Sequence, residues 1–311
     1  MIRQRKQRAA IRVPGKSPSV EKDARTWAKP GDPSMKISVV TDSASNLPRD
    51  LAEQSGITLV PMILKFGARA LLDGEDMPPG EFYKALVEEK VAVSTSGPSA
   101  GDFKAAFERA LADADGVVCV NVASFVSATY STAVSAAKDF DGRVRVVDSR
   151  SASLGEGFVA LEAARAGASG ADLDTVVARA EAVRDQMCFA ATINTFEFLR
   201  RSGRVNALLA YAGTALNIKP VFAFRGGKIE QLGRPRTRAR AIDRLVEEVR
   251  DASARGPLHL GVAHADCEEE AEQMLARLKA EIPNVETLIS PFTPLMGAHT
   301  GPGVLGVAFF S

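Results

Sequence analysis

The stretch Ile37-Ser38-Val39-Val40-Thr41-Asp42-Ser43-Ala44-Ser45-Asn46-Leu47-Pro48 decides the fold class. Residues 37–40 form a short β-branched run, residues 41–45 a polar turn, and residues 47–55 a short helix entered through Pro48 near its first turn. A strand that runs into a polar turn and then a helix is the α/β unit. The pattern recurs at Gly116–Asn121, ahead of Ser124, Ser127, Thr129 and a helix near 130–138, and again at 144–147, ahead of Asp148-Ser149-Arg150-Ser151. Three apolar strands ending in Asp, Asn or Ser predict a parallel sheet with its ligand site at the strands' C-terminal ends. Helical patterns at 102–114 and 155–166 supply its covers.

Beyond a helical stretch at 170–185 the pattern changes to strand, turn and strand. Strands are expected at 189–193, 218–224, 228–232, 259–263 and 304–309, with Arg225-Gly226-Gly227-Lys228 as a hairpin turn and amphipathic helices at 238–251 and 267–281. The expected architecture is therefore α/β in two domains. A parallel-sheet N-terminal domain covers 36–170 and a mixed α+β C-terminal domain covers 171–311, with segment 57–77 packing against the latter and the ligand between them. The chain shows no internal repeat and no heptad seam.

The chain has 311 residues, 46% hydrophobic and 25% charged, which excludes a disordered or fibrous protein and suffices for about two cores. Its formal charge of +1 is unevenly spread, because residues 1–35 hold nine basic and three acidic residues, leaving 30 and 35 for the remainder. A mildly acidic body argues against broad nucleic-acid binding, which draws affinity from a basic face. Residues 1–35, rich in Pro, Gly and charge, are expected to be a mobile tail, with Met35 an alternative translation start directly before the first strand. A tether to an anionic surface or RNA, or a transit peptide, is the other reading of that tail. No apolar run approaches a membrane span and no h-region follows the basic N-terminus, so the expected location is the cytoplasm, without stable membrane insertion. Cys119, Cys188 and Cys267 lie far apart, form no C-x-x-C pair and read as reduced core thiols.

The standard chemical signatures are absent from the sequence: no G-x-x-x-x-G-K-[ST] loop, no G-x-G-x-x-G after a strand, no H-E-x-x-H and no G-x-S-x-G elbow. Present instead are small hydroxyl and glycine clusters at 41–45, 94–99, 124–130 and 298–303. Singly, each is a helix cap; together with backbone N–H groups at helix starts they can bind an anion without an opposing full charge.

Taken in order, Thr41-Asp42-Ser43-Ala44-Ser45-Asn46-Leu47-Pro48, Thr95-Ser96-Gly97-Pro98-Ser99, Ser127-Ala128-Thr129-Tyr130, Val147-Asp148-Ser149, Leu199-Arg200-Arg201-Ser202-Gly203-Arg204, Asn217-Ile218-Lys219-Pro220 and His299-Thr300-Gly301-Pro302-Gly303 resemble the DegV family of fatty-acid-binding proteins over residues 36–311. The resemblance implies two α/β domains with a long acyl chain buried between them, and a binding subunit, not itself an enzyme, that presents the fatty acid to a separate ATP-binding fatty acid kinase subunit. It implies that Ser96 hydrogen-bonds the carboxylate, with His299 close by and Thr95 and Thr300 beside them. Ser127, Ala128 and Thr129 match the family's Ser-Gly-Thr at the head group, Ala128 standing where the family has glycine. Arg200, Arg201 and Arg204 match the region expected to meet the partner, with Ser202 in place of a glycine. No metal and no cofactor is implied.

The remaining candidates read as structural. His259 lies inside an apolar strand, and His264 with Asp266 and Cys267 lacks a second ligand group. Asp42 and Asp148 end strands, where carboxylates commonly cap the next turn rather than form a dyad. Arg234, Arg236, Arg238 and Arg240 read as a solvated face or an acidic partner's surface. Two other functions stay open: a carrier or sensor of lipids or carboxylic acids without phosphorylation, and a hydrolase using Ser96 or Ser127 as nucleophile with His299 as base.

Overall fold

The computed structural model describes residues 35–88, 91–204 and 218–311. The tail expected over 1–35 therefore lies outside the described residues except for Met35, as does Asn217. In chain order the strands are β1 (Ile37–Asp42), β2 (Ile57–Val60), β3 (Ile63–Phe66), β4 (Arg69–Leu72), β5 (Val93–Ser96), β6 (Gly116–Asn121), β7 (Val144–Asp148), β8 (Cys188–Thr192), β9 (Val221–Arg225), β10 (Lys228–Gly233), β11 (Leu258–His264), β12 (Asn284–Pro291) and β13 (Leu305–Phe310). The α-helices are α1 (Arg49–Gln54), α2 (Pro79–Glu88), α3 (Ala100–Leu111), α4 (Thr129–Ala137), α5 (Leu154–Ala168), α6 (Leu173–Gln186), α7 (Glu197–Arg201), α8 (Arg238–Ser253), α9 (Glu268–Glu281) and α10 (Pro294–Thr300).

The first sheet has the order β2-β1-β6-β7 and is parallel throughout. All six residues of β6 are buried, as a central parallel strand covered on both faces requires. The second sheet runs β10-β9-β8-β13-β11-β12, antiparallel except for the β11–β12 pair. Its side chains sort with period two: Cys188, Ala190, Val221 and Ala223 pack under α8 and α9, while Phe189, Ala191, Phe222 and Phe224 join the core between the sheets. Arg225 pairs with Lys228 across Gly226 and Gly227, both at positive φ, the two-residue hairpin that the sequence predicts.

Helix α5 lies between the sheets, touching β1 and β6 on one side and β8, β11 and β13 on the other. This position buries every residue from Leu154 to Ala163 and explains a helix apolar almost all round, thinned by Gly155, Gly157, Ala160 and Ala163. Helices α3 and α4 cover the outer face of the parallel sheet, giving α/β/α/β/α layers. Ser99 begins α3 with a capping box, its hydroxyl accepting from Asp102 N while the Asp102 carboxylate accepts from Ser99 N.

Two sequence boundaries move. Helix α6, grouped with the C-terminal half in the sequence reading, packs on α5, β6 and β7, so the chain passes to the mixed sheet at Met187. Segment 57–77 divides: β2 completes the parallel sheet, while β3 and β4 join β5 in a small antiparallel sheet, order β4-β3-β5, against which α10 packs. The strand expected at 218–224 begins at Val221, after Pro220, whose ring nitrogen has no hydrogen to donate to a ladder.

Candidate functional site

A pocket opens where the parallel strands end, between that sheet, the inner face of the mixed sheet and α10. It encloses about 890 Å³, counting the solvent at its mouth. Most of its wall is apolar: Ala44 follows β1, Val122 and Val126 follow β6, Ala152 precedes α5, Phe189, Ala191, Phe222, Phe224 and Ile229 come from the mixed sheet, and Leu295 and Met296 from α10. The polar residues in the wall are Thr95, Ser96, Ser127, Arg204, His299 and Thr300.

Three elements build this polar part. Strand β5 brings Thr95, whose Oγ1 lies 3.0 Å from His299 Nε2 on α10. Ser127 sits two residues before α4, its Oγ 2.8 Å from Thr129 Oγ1 and accepting from Thr129 N at 3.2 Å. Gly97 joins the two, since a Cβ there would stand 2.7 Å from Thr129 Oγ1; only glycine lets the end of β5 come this close to the start of α4. Thr300 donates its hydroxyl to Met296 O at 2.9 Å, within its own helix.

Burial, and then the guanidinium of Arg204, push the His299 pKa down to about 4. The imidazole is therefore neutral at pH 7, with one nitrogen a donor and the other an acceptor. Its Nδ1 is buried without a hydrogen-bond partner. Arg204 donates to Ser202 O at 2.7 Å, and no carboxylate pairs with it among the described residues. An apolar pocket whose wall carries one unpaired cation, hydroxyls and a neutral imidazole suits a ligand with a long apolar body and a single anionic end.

Not every residue singled out in the sequence reaches the pocket. Ala128 is exposed outside the wall, and its φ of −77° is open to any residue, so alanine in place of glycine causes no strain there. Thr129 is buried behind Ser127. Arg200 and Arg201 are exposed on α7, Arg201 paired with Glu197 and lying over the Phe198 ring. Arg234, Arg236 and Arg240 are exposed, whereas Arg238 is paired with Glu270 at 2.7 Å.

Asp42 and Asp148 form no dyad with each other. Asp42 caps the turn after β1 and faces Glu156, and Asp148 accepts from Ser124 N and Arg150 N. Among the described residues neither Ser96 nor Ser127 is hydrogen-bonded to a histidine; the hydroxyl on His299 is that of Thr95, and Ser127 bonds Thr129. His259 stacks on Phe310 with centroids 4.3 Å apart and bonds Glu286. With Glu162 these two offer converging ligand atoms, but Arg165 and Arg179 already occupy the carboxylates. Cys119, Cys188 and Cys267 are all free thiols.

Asp73 is a residue that sequence reasoning missed. Its carboxylate accepts from Ser43 Oγ at 2.7 Å and from Leu295 N at 2.8 Å, tying the first strand's turn to α10. The available signal was the turn Leu72-Asp73-Gly74-Glu75-Asp76, which marks a loop but not its partner.

The fold and pocket define a class: an α/β protein with a parallel and a mixed sheet enclosing an apolar cleft with one polar end. A family model described as an uncharacterised protein of the DegV family matches residues 36–311, and the chain belongs to that family. A DegV domain-containing protein of Streptomyces coelicolor is 35% identical over 280 residues, covering 89% of this chain and 99% of that protein. DegV of Bacillus subtilis is 30% identical over 278 residues, 88% and 99% of the two chains. Among solved structures, a fatty-acid-binding DegV family protein from Thermus thermophilus superposes with a TM-score of 0.84 at 33% identity, covering 89% of this chain and all of that one. The structure of DegV from Bacillus subtilis, described as a fatty acid binding protein, gives 0.82 at 30% identity over 89% and 100%.

Proposed function

We propose that this chain binds a long-chain fatty acid in the pocket, with the carboxylate at the Thr95, Ser127, His299 and Arg204 end, and Ser96 and Thr300 at its rim. The observation that carries the reading is the unpaired Arg204 beside a neutral His299 in an otherwise apolar wall. Burial of the acyl chain contributes roughly 0.8 kcal/mol per methylene, so the tail supplies most of the affinity. The polar end decides which head group is admitted, because an unpaired buried carboxylate is costly. The two fatty-acid-binding relatives above support the same ligand.

We further propose that the bound acid is presented to a separate ATP-dependent kinase subunit, which phosphorylates the carboxylate in the cytoplasm. The family resemblance supports this step, as do the exposed Arg200 and Arg201 on α7 within a few residues of Arg204. Such a kinase would hold ATP and Mg²⁺ itself, and this chain would contribute the oriented carboxylate nucleophile. No helix among the described residues is long and apolar enough to cross a membrane.

Native mass spectrometry of the purified chain, followed by denaturation and lipid extraction, tests the first step. One long-chain fatty acid per chain, weakened in His299→Ala, is the expected result, and a protein that neither carries nor takes up fatty acids overturns it. Acyl-phosphate formation on mixing the loaded protein with ATP and a fatty acid kinase subunit tests the second step. Binding without phosphorylation leaves a carrier.

A further inference from the structure

Behind the pocket wall lies an acidic pair that has no direct part in the proposed binding. Asp42 ends β1 and Glu156 stands in the first turn of α5, both 0% exposed. Asp42 Oδ1 accepts from Ala44 N at 3.0 Å, and its Oδ2 accepts from Val122 N and Asn121 Nδ2, each at 3.1 Å. Ala44 and Val122 are themselves wall residues. One carboxylate thus holds the turns after two neighbouring strands in register with each other.

Glu156 lies against Asp42 and differs in its surroundings. Its Oε1 accepts from Thr41 Oγ1 at 3.0 Å, its Oε2 is buried and accepts from no N–H or hydroxyl donor among the described residues, and its remaining hydrogen bond is with the Asp42 carboxylate itself. Three N–H donors suit an ionised Asp42; a single hydroxyl donor beside an anion suits a protonated Glu156. Burial pushes the Asp42 pKa up to about 6 against these donors. Burial, and then the charge of Asp42, push Glu156 well above the usual carboxylate range. The other titratable groups that bear on the pair are Cys119 on β6 and Asp148 at the end of β7. The turn after β1 brings only the uncharged Ser43, Ser45 and Asn46, and no cation acts on the pair among the described residues.

We infer that Asp42 and Glu156 are positioning residues for the pocket: while the pair keeps one proton, Asp42 fixes the Ala44 and Val122 turns, and loss of that proton drives two buried carboxylates apart and loosens the wall. The inference rests on the reading that the pocket holds an acyl chain. Gln at 156 presents an N–H to Asp42 in place of the acid O–H and cannot ionise, so Glu156→Gln separates the proton from the packing. Asn at 42 places an NH₂ among three N–H donors and disrupts the hub.

The test is the affinity of the full chain for a fluorescent long-chain fatty acid, measured from neutral to alkaline pH for wild type, Glu156→Gln and Asp42→Asn. His299, neutral above about pH 4, does not titrate in that range. Wild type is expected to lose about tenfold or more in affinity on the alkaline limb, whereas Glu156→Gln binds within about twofold of wild type at neutral pH and stays level. Asp42→Asn, with its fold checked by circular dichroism, is expected to bind about tenfold or more weakly at neutral pH. A Glu156→Gln profile that follows the wild-type limb, or a level wild-type profile, overturns the inference while leaving fatty-acid binding intact. Absence of binding in every protein at every pH overturns the fatty-acid reading, and this inference with it.

Discussion

Replacing Thr95 with valine keeps the shape of the side chain and removes only its hydroxyl. In the empty pocket, water can take that hydroxyl's place on His299 Nε2, 3.0 Å away, so the free protein loses little. In the occupied pocket the ligand excludes that water, and a buried nitrogen left without a partner costs roughly 1–3 kcal/mol. Affinity should therefore fall by roughly five- to 150-fold, since each 1.4 kcal/mol is about tenfold. Ser96 follows Thr95 on the same strand and lines the pocket at its rim, where it is exposed and water can replace its hydroxyl, so Ser96→Ala should cost less than about 0.5 kcal/mol. Displacement of a fluorescent fatty acid at neutral pH, with thermal unfolding of both variants as the control for stability, measures the difference. Near-wild-type affinity in Thr95→Val together with a large loss in Ser96→Ala would refute the reasoning, because the head group would then be held by Ser96 and not by the Thr95–His299 pair.

The fold holds His299 neutral down to about pH 4 against an ordinary value of 6.5, a stabilising contribution that is complete above 6.5 and lost as pH falls through that interval. Asp42, raised from 3.8 to about 6, has the opposite slope, so urea unfolding should show the wild-type advantage over His299→Gln shrinking between pH 6.5 and 4. A Cβ on Gly306 would stand 2.8 Å from the Phe189 ring in the pocket wall. Gly306→Ala should turn that ring into the cavity, cost about 1–3 kcal/mol in stability and shift preference to shorter acyl chains in a chain-length series. Leu245, fully buried between α8 and the far face of the mixed sheet, should cost about 2–5 kcal/mol in denaturant midpoint when cut to alanine, with acyl-chain affinity unchanged in the folded protein.

What could be read from the chain follows from which interactions are local. The strands at 37–42, 116–121 and 144–148 are legible because a parallel strand buried on both faces must be apolar, and its polar end marks where it leaves the core. Phe222 and Phe224 alternate with Val221 and Ala223, so a two-sided strand is visible there too, though not which side faces a ligand. The small sheet is not legible in the sequence because its strands are four residues each and include Lys65, Arg69 and Ser94, giving no run long enough to show a period. Nor is helix α10, because Gly297 and the glycines after it read as a turn, and the seven-residue helix is sustained by packing against α2 and β5 rather than by its own propensity. The site shows the same limit more sharply. Thr95 and His299 are 204 residues apart, and their contact exists only because β5 and α10 dock across the pocket. Sequence motifs could name both residues, but whether Thr95 or Ser96 meets the imidazole depends on the register of one short strand, and a shift of one residue would exchange them. Arg204 illustrates the reverse case: its run of arginines reads as an outer surface, yet the turn after α7 brings this last one into the wall while Arg200 and Arg201 stay outside. On the proposed reading, the charge that would select the ligand's head group and those that would face a kinase subunit come from one short segment, so substitutions at Arg204 should act on fatty-acid affinity and those at Arg200 on transfer to the kinase.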